Sequence, residues 1–517
     1  MKLYDLPWFP FAFILFGLIV HVIGIGGFSI YILDEAKNAA AAMEMQRQQE
    51  WILPTFNGLP RFDKPPLHYY FFMLGYKLFG VGPFGARFFP ALLGWICFVI
   101  VYFFSAKSFG KKAGFFAGLA LLSSIHWILQ FHLAVPDAFL ILFVFLTILY
   151  YEKFISSKLL SKNCLRASAL FLGLATLSKG PVAIVLVGIT ILLFMMMDKK
   201  PLKIHLKAIL DLKAWLLFLV VTLPWYVLIA WKTDGIWLRE FIFHHNLHRF
   251  SKPMEGHGGG FYLTFLFVWL GFLPASLVLF SAFKKVWIKR TPPVIVSLAS
   301  IFTAVTVLFF MLSGTKLPNY TAPVYPFLGI IAGWHLAEMD PRGLKFPSYI
   351  SSLIIILIPV GLFLALDLLT IKEIDAISGW FIVPALIGLT ALVITISTRW
   401  EYGWITASFG FVTFSIVLFT QALPAIDLKN PVRNSREVWN KTERVFHFQT
   451  FNPAFIFNLN KRVPDVAHHM HQLRKGDLIL TNKKSLPEFQ NLGVKTTQVY
   501  EGEDLFENTV TIILMVD

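Results

Sequence analysis

"WFPFAFILFGLIVHVIGIGGF", residues 8–28, runs for 21 residues without a Lys, Arg, Asp or Glu. A helix needs about 20 apolar residues to cross a bilayer, whereas a signal-peptide core uses only about 7–15. No small-x-small cleavage site follows the run, so it reads as a first membrane helix that is retained. The rest of the chain has the same character. Of its 517 residues 56% are hydrophobic, 54 are Phe and only 15% are charged, with a mean hydropathy of +0.67. Soluble domains carry roughly 25% charged residues. Further apolar segments lie near 84–106, 113–129, 134–151, 167–178, 181–197, 214–231, 261–283, 293–312, 321–338, 347–366, 379–397 and 402–422. The fold class is therefore a mainly α polytopic membrane protein with about 13 transmembrane helices.

The formal net charge of +15 invites a nucleic-acid reading, but its placement argues against one. With the N-terminus cytoplasmic, the inside loops near 107–112, 152–166, 198–213, 284–292, 339–346 and 398–401 hold 19 Lys and Arg. The short outside loops near 130–133, 179–180, 313–320 and 367–378 hold 3. This asymmetry is the positive-inside bias, and it orients the chain in an inner (plasma) membrane. An odd number of helices then puts the C-terminal region outside. Cys97 and Cys164 are too few for a disulfide framework and lack metal-ligand spacing.

Three pieces are too polar to span. Residues 29–83 and 232–260 form two external loops on a transmembrane part, 1–422, and residues 423–517 form an external domain. In the first loop "DEAKNAAAAMEMQRQQE" is rich in helix formers, with Asp34 positioned as an N-cap. "LHYYFFMLGYKLFG" reads as an interfacial helix with its aromatics toward lipid. The tail alternates in "VFHFQT", "AFIFNLN", "DLILTN" and "TVTIILMV" and looks helical in "DVAHHMHQLRKG", which together suggest a small α/β domain.

Polar side chains collect on the outside face: Asp34, Glu35, Lys37, Arg61, Asp63, Lys64, His68 and Asp137, then "REFIFHHNLHRFSK" and "SGTKLPNYTAPVYP". Several cations beside a lipid-facing groove suit a phosphate held at headgroup depth. A nearby carboxylate suits a general base toward an acceptor hydroxyl. Plainer readings stand beside these. Asp34 serves as a cap, Lys64 as a solvated loop residue, Arg249 and Lys252 as headgroup contacts, His244, His245 and His248 as a surface cluster, and Tyr320 as an interfacial belt residue.

The order "DEAKNA", "PTFNGLPRFDKPPLHYYF", "PDAFL", "LSKGP", "PWY", "FHHNLHRF" and "KLPNYTAPVYPFLGIIAG" covers most of residues 1–340. It resembles the bacterial lipid-dependent glycosyltransferases of the aminoarabinose transferase and protein O-mannosyltransferase superfamily. The resemblance implies the C-type membrane glycosyltransferase fold and a polyprenyl-phosphate sugar donor. By the same resemblance Asp34 is the essential acid, Lys64 holds the lipid phosphate, Lys37 lies close to the donor phosphate, Arg249 is the arginine of the second-loop motif and Tyr320 closes over the donor site. Arg61, from the external polar group, joins them as a phosphate-binding candidate. Glu35, Asp63, Asp137 and Lys316 remain substrate-site candidates. Some relatives have a histidine two residues before the terminal "xRF"; aligned on "HRF", Asn246 stands there with His245 beside it, so a divalent metal stays unassigned and no cofactor is certain. The expected partners are the donor, membrane lipids and a lipid A-type, protein or glycan acceptor. The rival reading is a transporter or flippase of lipid-linked sugars, for which an inverted repeat and midplane charges are the usual signs.

Overall fold

The computed structural model describes residues 3–157, 160–198, 200–253, 258–289, 292–368, 374–505 and 509–517. Parts of the loops read at 152–166, 198–213, 232–260, 284–292 and 367–378 lie outside the described residues. Each of the thirteen apolar segments holds helix. Among the described residues seven helices are long and apolar enough to cross a membrane. The number rises to nine when two bent pairs, Lys111–Leu122 with Ile125–Phe131 and Tyr262–Gly271 with Ser276–Ile288, each count as one span. Those pairs bend by 70° and 111°. Phe9–Val22 and Pro181–Met197 are shorter apolar helices. The first helix stops well before Phe28 because Ile23 turns extended and Gly24 takes φ +82, a left-handed geometry natural to glycine.

By its internal contacts the chain divides into two compact units. The first comprises Met1–Ile23, Phe62–His68 and Phe88–Val417. In it the Asp137–Ser156 helix packs along Lys162–Lys179, which packs in turn against Leu212–Lys232. Lys345–Leu368, Ile374–Ile396 and Trp400–Val417 pack mutually. Asp137–Ser156 is buried nearly all round, and its sequence is apolar all round, as expected of a helix enclosed by others.

The second unit comprises Gly24–Arg61, Tyr69–Arg87 and Leu418–Asp517. Its first part holds the loop helix, Leu33–Gln48, and a two-residue hairpin of β1 (Thr55–Phe56) and β2 (Leu59–Pro60). Its last part is a four-stranded sheet of β3 (Val445–His447), β4 (Leu478–Asn482), β5 (Thr496–Glu503) and β6 (Val510–Val516), in the order β3-β4-β6-β5. Only β3 and β4 run parallel. Phe446, Phe448, Val466, Ile479, Phe489, Ile512 and Leu514 form its core.

Four local expectations are corrected. "AFIFNLN" is a helix, Ala454–Leu459, because the Asn452 side chain accepts from the Ala454 amide and starts a turn in which four consecutive residues are buried. "DVAHHMHQLRKG" forms only two 3₁₀ turns, since His469 at φ −130 interrupts the run after Asp465 has capped the first. In the Leu67–Phe79 helix Tyr69, Phe72 and Tyr76 are buried, and Tyr76 donates to the Ala39 carbonyl at 3.0 Å, so these rings point into protein rather than lipid. Finally, Asp34 is not the N-cap of the loop helix. Ile32 holds that position without a side-chain bond, and Asp34 lies inside the first turn.

Candidate active site

Within the first unit "FDKPP" sets Lys64 before two prolines, which confines Lys64 to extended backbone and lets the next helix start at Leu67. Lys64 is 8% exposed, and its ammonium lies 3.8 Å from the Asp63 carboxylate, too far for a hydrogen bond. The second loop brings its own charges to this place. His245 lies within electrostatic reach of Asp63, Lys64, His244 and Arg249. Burial first, and then Lys64, His244 and Arg249 against the opposing pull of Asp63, lower the His245 pKa to about 4. His245 is therefore neutral at pH 7, and Lys64 and Arg249 carry the positive charge around it.

A stitched loop continues from Arg249. The Thr315 hydroxyl donates to the carbonyls of Arg249 at 3.0 Å and Lys252 at 3.2 Å, while the Gly314 amide donates to Phe250 at 2.6 Å. Four and five residues on, Asn319 and Tyr320 belong to a second polar group. The Lys179 ammonium pairs with Asp137 at 2.6 Å, the Asn319 amide reaches the other Asp137 oxygen at 3.4 Å, and Lys179 lies 5.2 Å from the Tyr320 ring centre. Four residues span at most about 14 Å, so the two groups border one region. Asp137 is buried at the start of its helix, where the helix dipole also favours its charge. Gly180, at φ +80, ends the Lys179 helix, and a Cβ there would lie 2.3 Å from the Phe241 ring. That close approach explains the glycine of "LSKGP". Trp225 and Tyr226 of "PWY" pack on the same ring cluster with Trp237.

In the second unit Asp34 is half-exposed, 4.0 Å from Arg61, and the same Arg61 nitrogen donates to Asn38 at 3.1 Å. Lys37 lies one turn beyond Asp34 and is half-buried. The adjacent carboxylate has a different fate. Glu35 is fully buried, and both its oxygens accept from Arg87, at 2.7 and 2.8 Å. Arg87 further donates to the carbonyls of Ile25, Phe28 and Ser29. Glu35, nominated for substrate, is thus committed to an internal fork.

Lys316 is diverted too. Its ammonium donates to the carbonyls of Phe310, Met311 and Ser313 and closes the end of the Val294–Leu312 helix, while burial lowers its pKa. Lys64, Arg249 and Asp63 all lie within electrostatic reach of His245, and Asp137 and Tyr320 meet at Lys179. Sequence reasoning missed three residues. His245 was read as part of a surface cluster. Lys179 and Asn319 went unnominated inside the quoted "LSKGP" and "KLPNY", although a lysine between apolar segments is a readable signal. Among the described residues no group of three or more His, Cys, Asp or Glu side chains is arranged to hold a metal ion, so no ligand set is assigned.

The low pKa of His245 has a testable consequence. Its folded value lies below its ordinary 6.5, so the folded state binds this proton less readily than the unfolded chain. The contribution is fully present above pH 6.5 and is lost as pH falls from 6.5 through about 4. Thermal unfolding of wild type and His245→Gln between pH 7.5 and about 4 should show the variant losing less stability on acidification.

Residues 63–228 match the family described as dolichyl-phosphate-mannose-protein mannosyltransferase. An uncharacterized protein of Aquifex aeolicus (strain VF5) is 27% identical over 90% of this chain and 89% of its own length. The undecaprenyl phosphate-alpha-4-amino-4-deoxy-L-arabinose arabinosyl transferase 2 of Pseudomonas fluorescens (strain Pf0-1) is 26% identical over 62% of this chain and 58% of its own. The crystal structure of ArnT from Cupriavidus metallidurans bound to undecaprenyl phosphate superposes with a TM-score of 0.80 over 97% of both chains at 21% identity, which establishes a shared fold.

Proposed function

We propose that this protein, which falls in the superfamily holding the aminoarabinose and protein mannosyl transferases, is a glycosyltransferase that uses a polyprenyl-phosphate sugar donor. The sugar is 4-amino-4-deoxy-L-arabinose or a close analogue, by analogy with the named arabinosyl transferase; the acceptor of this proposal is a lipid A-type molecule, as the motif resemblance implies. The observation that carries this reading is that Lys64 and Arg249, from separate loops, both lie within electrostatic reach of the half-buried His245. Such a place suits a phosphodiester whose lipid-phosphate leaving group gains negative charge as the glycosidic bond lengthens.

In this reading the acceptor oxygen attacks the anomeric carbon. The bond from that carbon to the phosphate oxygen breaks, and polyprenyl phosphate departs with the electron pair, neutralised by Lys64 and Arg249 with support from Lys37 and Arg61. Tyr320 packs over the donor, and Asp137 holds Lys179 beside it. Asp34 takes the proton of a hydroxyl acceptor, or orients the sugar where the acceptor is already an anion. One displacement inverts the anomeric centre. The loops and the C-terminal domain lie on the external side of the inner membrane, with the N-terminus cytoplasmic.

Proteoliposomes holding the protein, polyprenyl-phosphate aminoarabinose and lipid A test this by mass spectrometry. Lipid A heavier by one sugar, with release of polyprenyl phosphate, is the expected result; donor crossing the bilayer uncleaved would support a transporter instead. Asp34→Asn keeps the shape of a residue that caps nothing. Its transfer rate should fall by about 100-fold or more while the unfolding midpoint stays near wild type. A near-normal rate removes the carboxylate from the chemistry.

A further inference from the structure

The C-terminal domain has no part in the chemistry above, yet some of the best-buried polar contacts of the second unit join it to the first loop. Asn57, in the hairpin turn, exchanges two hydrogen bonds with the Val463 backbone, donating to its carbonyl and accepting from its amide, both at 2.8 Å. The Tyr31 hydroxyl donates to Asp504 at 2.6 Å and accepts from the Leu505 amide at 3.2 Å. Asp504 is 8% exposed and is also bound by Asn452 and Thr511. Ser29 gives both its amide and its hydroxyl to Asp427, and Arg47 reaches the Asn460 carbonyl at 3.2 Å.

The placement of these bonds along the chain is what matters. Ser29 and Tyr31 precede the loop helix, Arg47 lies in its last turn, and Asn57 follows it. The domain therefore grips the helix from both ends, while Asp34 lies in its first turn, Lys37 begins its second and Arg61 follows the hairpin. Chance packing of two surfaces does not produce a reciprocal side-chain-to-backbone pair and a buried carboxylate filled by neutral donors at either end of one element. Each such group would leave a buried polar atom unsatisfied if the grip opened. The grip thus has one favoured register.

We infer that the C-terminal domain is a clamp that positions the loop helix, with Asn57, Tyr31 and Asp504 as positioning residues for the reaction proposed above. Its effect on rate rests on that proposal; its effect on the helix does not. Misplacing a reacting group by about 1 Å costs on the order of 100-fold in rate, so a loosened clamp slows turnover without touching substrate.

The test uses full-length Asn57→Ala and Tyr31→Phe in proteoliposomes, measured by hydrogen exchange and by transfer kinetics. Peptides from 33–48 should exchange faster in both variants while peptides from the β4 and β6 core stay protected. The kcat should fall by about 10-fold or more with donor KM nearly unchanged. Tyr31→Phe deletes a single oxygen and decides the matter if Asn57→Ala does not fold. Unchanged exchange at 33–48 in a folded variant overturns the inference. If wild type transfers no sugar, the proposed function fails and the exchange arm still judges the clamp.

Discussion

Lys64→Ala yields a folded protein that transfers sugar about 100- to 1,000-fold more slowly than wild type, the usual consequence of removing one preorganised donor from a developing oxyanion. The fold survives because the corner is stiffened by Pro65 and Pro66, and because the nearby Asp63 is not hydrogen-bonded to Lys64. A lysine so little exposed and so loosely paired is costly to keep unless an anion completes it. Lys64→Arg keeps the charge but replaces a compact ammonium by a planar fork, and recovers only part of the rate. The comparison to make is single-turnover transfer beside thermal unfolding in the same detergent. A Lys64→Ala rate within threefold of wild type would remove the phosphate-holding role, since a residue acting on the leaving group affects the bond-breaking step itself.

The membrane class could be read from the many apolar runs, such as 84–106 and 293–312, because the bilayer imposes a length and a polarity that composition reports directly, although the 8–28 run overstated its helix, which ends at Val22. Side-chain fate inside the loops could not. Asp34 and Glu35 are adjacent and chemically alike, yet successive residues of a helix face different directions: one lies near Arg61 half in solvent, the other is sealed against Arg87. Their separation depends on where the loop helix starts, and sequence put Asp34 at the cap, just outside that first turn. Lys316 shows the same limit from the other direction. Its place in "KLPNY" suggested substrate, whereas three orphan carbonyls of the preceding helix claim its ammonium. In the tail, alternation at 454–460 mimicked a strand because a short helix buried on both faces leaves a similar apolar pattern. Asp63, Lys64 and Arg249 were legible as candidates, but their common electrostatic reach of His245 required the path of the 232–260 loop, which hydropathy does not encode.

The largest effect on stability is expected at a residue the sequence concealed. Arg87 sits near the start of an apolar 27-residue helix and looks like an interfacial cation, but it is fully buried and fills its donor capacity. Two bonds go to Glu35 and three to the carbonyls of Ile25, Phe28 and Ser29, with its guanidinium 3.8 Å from the Phe28 ring centre. Arg87→Leu leaves a buried carboxylate without its cation and three carbonyls without this donor, and should cost about 3–5 kcal/mol from the broken pair alone. Glu35→Gln retains one acceptor and should cost less, although it strands the guanidinium charge. The double variant Glu35→Gln/Arg87→Leu removes both charges, so its cost should fall below the sum of the single losses; it does not return to zero because the three carbonyls stay unsatisfied. Unfolding midpoints of the four proteins in detergent give this cycle directly. Additive losses would mean that Glu35 and Arg87 act independently, in which case the fork does not hold the start of the first loop.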